Sequence, residues 1–226
     1  MIKKIKAKSI RKEFFLSENL KNNRIIINDI CISFEKSKSY AIIGKSGVGK
    51  STLLHILAGI DAPTSGSVLF DSENIYSLSP ERQASLRAHE IGVVFQQAYY
   101  IKELTVLENC MIKQAVLQLP AQEATKQAKF LLEQLDLSDY INECPAILSG
   151  GQQHRLALAR ALFGSPSFLF LDEPTASLDQ PLAKKLINFL LDWQKKYNMG
   201  LIISTHDLYV YSKMQEVYTI KNGVLM

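Results

Sequence analysis

The chain has 226 residues, which is enough for one α/β domain with a subdomain and a sizeable buried core. Its net charge of +4 is not a signature of nucleic-acid binding, and it contains no apolar run of about 18 residues that could span a bilayer. The three cysteines form no C-x-x-C pair, so we expect reduced side chains in a cytosolic protein, with neither a disulfide framework nor a zinc site. No long apolar stretch follows residues 1–4, so we expect no signal peptide.

The first two predicted elements are strands. Basic residues crowd positions 3–12 and alternate with smaller side chains, which predicts a strand over residues 2–10. We interpret these lysines as belonging to a solvated edge strand, with a weak contact to anionic lipid as the alternative. The polar residues 17–23 predict a loop, and the apolar residues 25–34 predict a second strand with a turn inside it.

A glycine-rich motif, G-x-x-x-x-G-K-[ST], lies between an apolar strand at 40–43 and a helix at 50–58. Glycines let successive backbone N–H groups face an anion, and the helix N-terminus adds partial positive charge. The motif predicts a phosphate site in which Lys50 reaches the β- and γ-phosphates and Ser51 offers its hydroxyl to Mg²⁺. The alternative is a Gly/Ser-rich turn. The residues of the predicted phosphate loop are Gly44, Lys45, Ser46, Gly47, Val48, Gly49, Lys50, Ser51 and Thr52.

Further along the chain, strands and helices segregate. The predicted strands are 67–70, 91–95, 168–171, 201–204, 216–220 and 224–225, the last two as a hairpin across Asn222-Gly223. The predicted helices are 81–87, 104–119, 121–135, 149–163, 181–196 and 208–214. From about 97 to 163 the pattern predicts helices only. The sequence therefore predicts a nucleotide-binding α/β core interrupted by an all-helical insert.

Two further segments carry chemistry. Asp172 and Glu173 end the apolar strand 168–171, and ligands bind at such sheet ends in open α/β folds. Asp172 is placed to hold Mg²⁺, usually through water, and Glu173 to polarise an attacking water. The second segment opens the helix 149–163 with Ser149, Gly150, Gly151 and Gln152. It predicts a second anion site, or alternatively a serine N-cap followed by a flexible glycine pair.

Residues 148–152, followed by Arg155 and by 159–162, closely resemble the signature segment of ABC-type ATPases, and the resemblance extends from roughly Ile10 to Leu225. It implies a P-loop NTPase (RecA-like) core with an antiparallel β edge and an inserted all-helical subdomain. In this layout the core comprises residues 1–96 and 164–226, and the helical subdomain residues 97–163, within a single domain spanning 1–226.

The resemblance assigns roles to residues that spacing alone does not. Gln96 resembles the Q-loop glutamine, which senses Mg²⁺ and water where a membrane partner docks. Asp179 resembles the D-loop aspartate that crosses to a second subunit, and His206 the switch histidine that contacts the γ-phosphate. Phe14, with Phe15 as the alternative, is expected to stack on adenine. The remaining histidines are interpreted as structural or surface residues.

The mechanism implied by the resemblance is a sandwich in which two subunits close around two MgATP molecules. A homodimer is favoured, and a heterodimer stays open. We expect a cytoplasmic subunit held on the inner face of the cytoplasmic membrane by a separate permease, without insertion of its own and without nucleic acid. A translation factor would carry two such domains and a repair ATPase a long coiled coil, and this chain has neither.

Residues 85–87, 91–96 and 104–109 are similar to one branch of the family. That branch holds the lipoprotein-releasing ATPases and the macrolide and antimicrobial-peptide exporters. Two alternatives stay open: the ATPase of an amino-acid importer, and a cell-division ATPase that signals without transport.

Overall fold

A computed structural model describes residues 3–15, 23–176 and 178–226, with only the backbone at Phe15 and Asn23. The loop predicted at 17–23 lies outside the described residues except at its last position, where a strand begins. The described strands are β1 (Lys4–Phe15), β2 (Asn23–Glu35), β3 (Ser39–Ile43), β4 (Ser65–Phe70), β5 (Glu73–Asn74), β6 (Ile91–Val94), β7 (Phe168–Asp172), β8 (Gly200–Thr205), β9 (Glu216–Lys221) and β10 (Val224–Leu225).

The first sheet is antiparallel and has the order β2-β1-β4-β5. Its β1 strand is flanked on both sides, so the prediction of an edge strand was wrong. Lys4, Lys6 and Lys8 are nevertheless exposed, while Ile5 and Ala7 between them are buried. The reason is the two-residue alternation of a strand, which turns the lysines toward one solvated face of the sheet regardless of strand order.

The second sheet has the order β10-β9-β3-β8-β7-β6 and is parallel except for the hairpin strand β10. Each apolar run predicted as a strand in this region is a strand of this sheet. The carboxyl ends of β3, β6, β7 and β8 therefore lie along one edge. Because each of these strands leads into a segment with predicted site residues, this edge of the sheet positions the site.

The α-helices of the described chain are α1 (Lys50–Leu57), α2 (Pro80–Glu90), α3 (Val106–Cys110), α4 (Gln114–Leu117), α5 (Ala121–Gln134), α6 (Gly150–Leu162), α7 (Gln180–Tyr197) and α8 (Leu208–Ser212). Single 3₁₀ turns occupy Ile75–Ser77, Ser138–Tyr140 and Pro145–Ile147. None of the helices in the described part of the chain is long and apolar enough to cross a membrane.

The single helix predicted over 104–119 was wrong, because the structure has two short helices there, α3 and α4. Asn109 is fully buried, and its amide donates to the carbonyls of Ile101, Leu104 and Thr105. Such bonds between a side chain and the local backbone compete with continued helix. Gln118, with a φ of 53°, then ends α4 in the left-handed region.

Apolar side chains cover both faces of the parallel sheet. On one face, residues such as Leu169, Leu201 and Ile203 pack against the helices of segment 97–163 and against α7. On the other face, residues such as Ile42 and Phe170 pack against α1 and the antiparallel sheet. Burial on both faces explains the continuous apolar runs that predicted these strands.

Candidate functional site

The predicted phosphate loop connects β3 to α1. Gly49 caps α1 with a φ of 108°, and a Cβ atom there would lie 2.9 Å from Cγ2 of Ile26. At Gly44 a Cβ would lie 2.7 Å from the carbonyl oxygen of Ile220, so neither position admits a larger residue without displacement. In the described structure no side chain caps the N-terminus of α1. Its first N–H groups therefore remain available to an anion.

Lys50 lies inside this loop and not on its surface. Its side chain is buried, and Nζ donates to the carbonyl oxygens of Gly44 at 3.0 Å and Lys45 at 3.4 Å. The same Nζ lies 3.4 Å from Oε1 of Glu173. The loop carbonyls and the carboxylate thus hold the ammonium group within the loop.

The acidic pair follows β7. Asp172 is the last residue of the strand, and its Oδ1 accepts a hydrogen bond from the hydroxyl of Ser204 on β8. Glu173 comes next, with a φ of 47°, and its two carboxylate oxygens each lie 3.0 Å from Nδ1 of His206. The carboxylate of Glu173 therefore joins the lysine of the phosphate loop to the histidine that follows β8. Glu173 is buried, whereas His206 is exposed to solvent.

Lys50, Glu173 and His206 line one cleft of about 990 Å³. The predicted site residues that line this cleft are those of the phosphate loop except Val48, together with Phe14, Gln96, Glu173 and His206. Val48 packs instead against the apolar core. Such a volume lies within the range of pockets that hold small ligands.

The outer wall of the cleft is formed where β1 pairs with β2. Phe14 pairs with Arg24 across this ladder, and both line the cleft. The ring of Phe14 is 42 % exposed, and the ammonium group of Lys12 lies 5.3 Å from its centroid. The side chain of the alternative, Phe15, lies outside the described residues. Sequence reasoning missed Arg24, because only the strand register brings it to the cleft.

A second cleft of about 1020 Å³ adjoins the first, and Gln96 lines both. The three residues predicted to hold a metal, Ser51, Gln96 and Asp172, all line it. His154 of α6 also lines it, and its Nε2 donates to the carbonyl oxygen of Gln96 at 2.9 Å. This bond connects the helical segment to the loop after β6, a contact that the sequence did not predict.

The donor set of this second cleft suits one kind of ion. A serine hydroxyl, an amide and a carboxylate offer oxygen ligands, which Mg²⁺ prefers. Across the described chain there is no cluster of three or more His, Cys, Asp or Glu residues that could hold a metal ion. The serine, glutamine and aspartate of this cleft therefore offer a donor set that fits a magnesium ion.

The signature segment lies apart from the phosphate-loop cleft of its own chain. Ser149 caps α6 and forms a capping box with Gln152, in which the Gln152 side chain accepts from the Ser149 N–H at 2.8 Å. Asp179 caps α7, accepting from the N–H of Leu182 at 2.9 Å. Ser149, Gly151 and Asp179 line a separate cavity of about 380 Å³, while Gly150 and Gly151 reach the second cleft. Ser177, which belongs to the segment 176–179 that resembles the D-loop, lies outside the described residues.

Comparison with known proteins agrees with this geometry. Residues 27–176 match the model of the ABC transporter family. The chain is 36% identical over 219 residues to the lipoprotein-releasing system ATP-binding protein LolD of Hydrogenovibrio crunogenus, covering 97% of this chain and 94% of the relative. It is 38% identical over 199 residues to LolD of Buchnera aphidicola subsp. Schizaphis graminum, covering 88% of this chain and 87% of the relative.

Solved structures show the same architecture. The dimeric structure of MJ0796, a bacterial ABC transporter cassette, superposes with a TM-score of 0.89 at 30% identity, covering 98% of this chain and 96% of that one. The same cassette has been solved as a dimer in a post-hydrolysis state bound to ADP and Pi, with an equal TM-score of 0.89. The chain therefore belongs to the ABC transporter family and is an ATP-binding, ATP-hydrolysing subunit with the P-loop NTPase fold.

Proposed function

We propose that this chain is the ATPase of a lipoprotein-releasing transporter, in which two copies close around two MgATP molecules and drive a separate permease. The observation that carries the ATPase part is the chain of contacts from Lys50 through Glu173 to His206 beside an uncapped helix N-terminus. The similarity to LolD along nearly the whole chain supports the lipoprotein branch over an amino-acid importer or a cell-division ATPase.

Within the cleft, each residue has a proposed role. The loop amides and Lys50 bind the β- and γ-phosphates, since they form a concave cationic cradle. Glu173 polarises the attacking water, for which its carboxylate is already oriented by two cationic or hydrogen-bonding neighbours. His206 contacts the γ-phosphate, and Phe14 stacks on adenine beside Arg24.

Ser51, Gln96 and Asp172 are proposed to hold Mg²⁺ together with phosphate oxygens, since they line the same cleft. The ion would neutralise charge on the phosphates. The other ligands are the nucleotide's own oxygens, so the protein needs to supply only a few donors.

The second half of each site is proposed to come from the facing copy. Ser149, Gly150, Gly151 and Gln152 lie at the N-terminus of α6, and Ser149 and Gln152 satisfy one another in the capping box. Among the described residues, no side chain caps the N–H groups of Gly150 and Gly151, which suit a γ-phosphate from across the interface. Asp179 is proposed to lie at the same interface. A single chain would then contain only half of each site.

The remaining partner is proposed to be an integral membrane permease on a separate chain, which would hold this subunit at the inner face of the cytoplasmic membrane. The proposed contact surface is the groove beside Gln96 and the helices from about 97 to 140. In this proposal residues 97–163 form a helical subdomain that moves against the α/β core of 1–96 and 164–226. Hydrolysis would separate the two ATPase subunits, and the bound permease would respond to that separation.

The test is an affinity purification from the native membrane with tagged Glu173→Gln and MgATP. Loss of a general base lowers turnover by about 10²- to 10⁴-fold, so the variant should accumulate as an ATP-bound dimer. The matched control is tagged Lys50→Ala, which should bind ATP weakly and stay monomeric on size exclusion. Both tagged variants keep the same proposed permease-contacting surface, so a difference in what co-purifies reports the effect of bound nucleotide.

The proposal predicts that a permease with four transmembrane helices and a large extracytoplasmic domain co-purifies. Spheroplasts depleted of this chain should then retain lipoprotein in the inner membrane. A six-helix importer permease, or no membrane protein at all, would contradict the lipoprotein assignment. A Glu173→Gln variant that remains monomeric with MgATP would contradict the sandwich.

A further inference from the structure

We infer that Ser204 is a positioning residue that holds both acids of the site, its hydroxyl fixing Asp172 and its carbonyl fixing Glu173. This inference rests on the proposed function, since the two acids matter only if Mg²⁺ and a water are bound there. No sequence motif drew attention to Ser204.

Ser204 belongs to the centre of the parallel sheet. Strand β8 lies between β3 and β7, and Ser204 pairs in register with Ile42 on one side and Asp172 on the other. The serine has no exposed surface, and Asp172 is only 3% exposed. Directly paired residues of neighbouring strands project from the same face of a sheet. The buried hydroxyl and carboxyl groups are therefore held together by the two strands.

The hydroxyl of Ser204 donates to Oδ1 of Asp172. Among the described residues, this is the one hydrogen bond to the Asp172 side chain, and its other oxygen, Oδ2, accepts none. A buried carboxylate needs a donor, and a bond to an ionised acceptor is strong. Ser204 thus occupies one oxygen of Asp172 and leaves the other free for a metal ion or its water. The carboxyl group is thereby fixed as a ligand through one oxygen.

The carbonyl of Ser204 acts on the second acid. It accepts a hydrogen bond from the backbone N–H of Glu173 at 2.9 Å. Glu173 has a φ of 47°, a left-handed conformation that costs free energy for a residue with a Cβ. The bond to β8 holds the chain in this turn. It directs the Glu173 carboxylate back toward Lys50 and His206, which it contacts at 3.4 Å and 3.0 Å.

An apolar residue at position 204 would suit the strand equally well, because the site is buried. It would leave Oδ1 of Asp172 without a donor and the carboxyl group free to rotate, while the backbone bond to Glu173 would remain. Loss of the hydroxyl is therefore expected to weaken metal binding at Asp172 more than it disturbs Glu173, the proposed water-polarising base. Loss of a partner that orients a metal ligand typically weakens metal affinity by about 10- to 100-fold.

The experiment measures the affinity for a non-hydrolysable ATP analogue calorimetrically in excess Mg²⁺ and again in excess EDTA, so that the ratio reports metal binding without turnover. Ser204→Ala removes the hydroxyl, and Ser204→Thr retains it on a strand-favouring residue. The matched control is Ser39→Ala. Ser39 is also a buried serine of a central strand, but its hydroxyl bonds to Gln215, at the opposite end of the sheet from the site. Thermal unfolding of each variant reports folding.

We expect Ser204→Ala to weaken binding of the ATP analogue about 10- to 100-fold in Mg²⁺ and to leave its binding in EDTA unchanged. Ser204→Thr should retain most of the wild-type affinity in Mg²⁺. Ser39→Ala should lower stability without altering the ratio of the affinities in Mg²⁺ and in EDTA. An unchanged ratio in Ser204→Ala, or an equal change in Ser39→Ala, would overturn the inference. If the wild-type protein itself binds the analogue equally with and without Mg²⁺, the proposed Mg²⁺ site fails instead, so the two failures are distinguishable.

Discussion

The ion pair between Lys50 and Glu173 predicts a measurable coupling in the free protein. The two charges lie 3.4 Å apart, and their side chains are only 7% and 10% exposed. At an effective dielectric constant of about 20, Coulomb attraction at this distance amounts to about 5 kcal/mol. Relaxation and water entry around the group left unpaired in each single variant reduce the part of this attraction that the cycle measures. We therefore expect a net coupling free energy of about 2 kcal/mol, within the range found for contacting residues.

The assay is a double-mutant cycle of Lys50→Met and Glu173→Gln, followed by urea unfolding without nucleotide. Each single variant should be destabilised, because it leaves the other group buried without its partner, and the double variant should recover part of the loss. The matched control is the pair Lys185 and Asp136, which lies at 3.0 Å but is 72% and 63% exposed. Water screens that pair, so its coupling should be close to zero.

A coupling at Lys50 and Glu173 no larger than that of the exposed pair would contradict this prediction. Such a result would mean that burial at the phosphate loop does not strengthen the interaction. A coupling of opposite sign would contradict the prediction equally, because the cycle cancels the desolvation of each group and leaves their mutual interaction.

Three further predictions concern single residues. Phe14→Ala should weaken ATP binding by about 5- to 100-fold, since base stacking contributes about 1–3 kcal/mol, whereas tripolyphosphate binding should not change in calorimetry. Gly49→Ala should destabilise the fold by more than about 1 kcal/mol in urea unfolding, because its φ is 108° and Ile26 leaves no space for a Cβ. Lys113→Met should stabilise the protein at neutral pH by about 1–2 kcal/mol, discounted for partial exposure, because burial, with Arg160 nearby, lowers the pKa of Lys113 from 10.5 to about 8.

Each of these predictions has an outcome that would contradict it. For Phe14, equal losses for ATP and tripolyphosphate would contradict adenine stacking. For Gly49, the matched variant is Gly150→Ala, where a Cβ meets nothing within 4 Å, and an equally large loss there would contradict the steric argument. For Lys113, the charged form is disfavoured in the folded state, so the penalty is complete below about pH 8 and vanishes above 10.5. A stability difference between wild type and variant that does not shrink across this interval would contradict the assigned pKa.

Much of the fold could be predicted because its signals are local. The apolar runs of β3, β7 and β8 are continuous, as burial on both faces of a parallel sheet requires, and the structure confirms each as a strand. The turn at Asn222-Gly223 also carries its own signal, since both residues adopt positive φ in the hairpin.

Two wrong predictions show which features of the fold local sequence patterns do not report. The prediction of an edge strand failed because strand order depends on pairing with β4, about sixty residues away. The alternation of lysines and smaller residues indicates only which face of the strand is exposed to solvent. The single helix over 104–119 failed because periodicity does not register Asn109, whose buried amide bonds to three carbonyls of the preceding turn.

The sequence by itself determined which chemical groups exist and how closely each follows a strand or precedes a helix. That was enough to predict the phosphate loop and the acids after β7, because each motif is contiguous, whereas the role of the histidine after β8 was predicted from the family resemblance. Only the tertiary structure decided that Lys50 contacts Glu173, that Arg24 faces the cleft and that Ser204 holds Asp172. Those contacts depend on the register between strands distant in the chain, and register is set by packing across the whole sheet and not by any one segment.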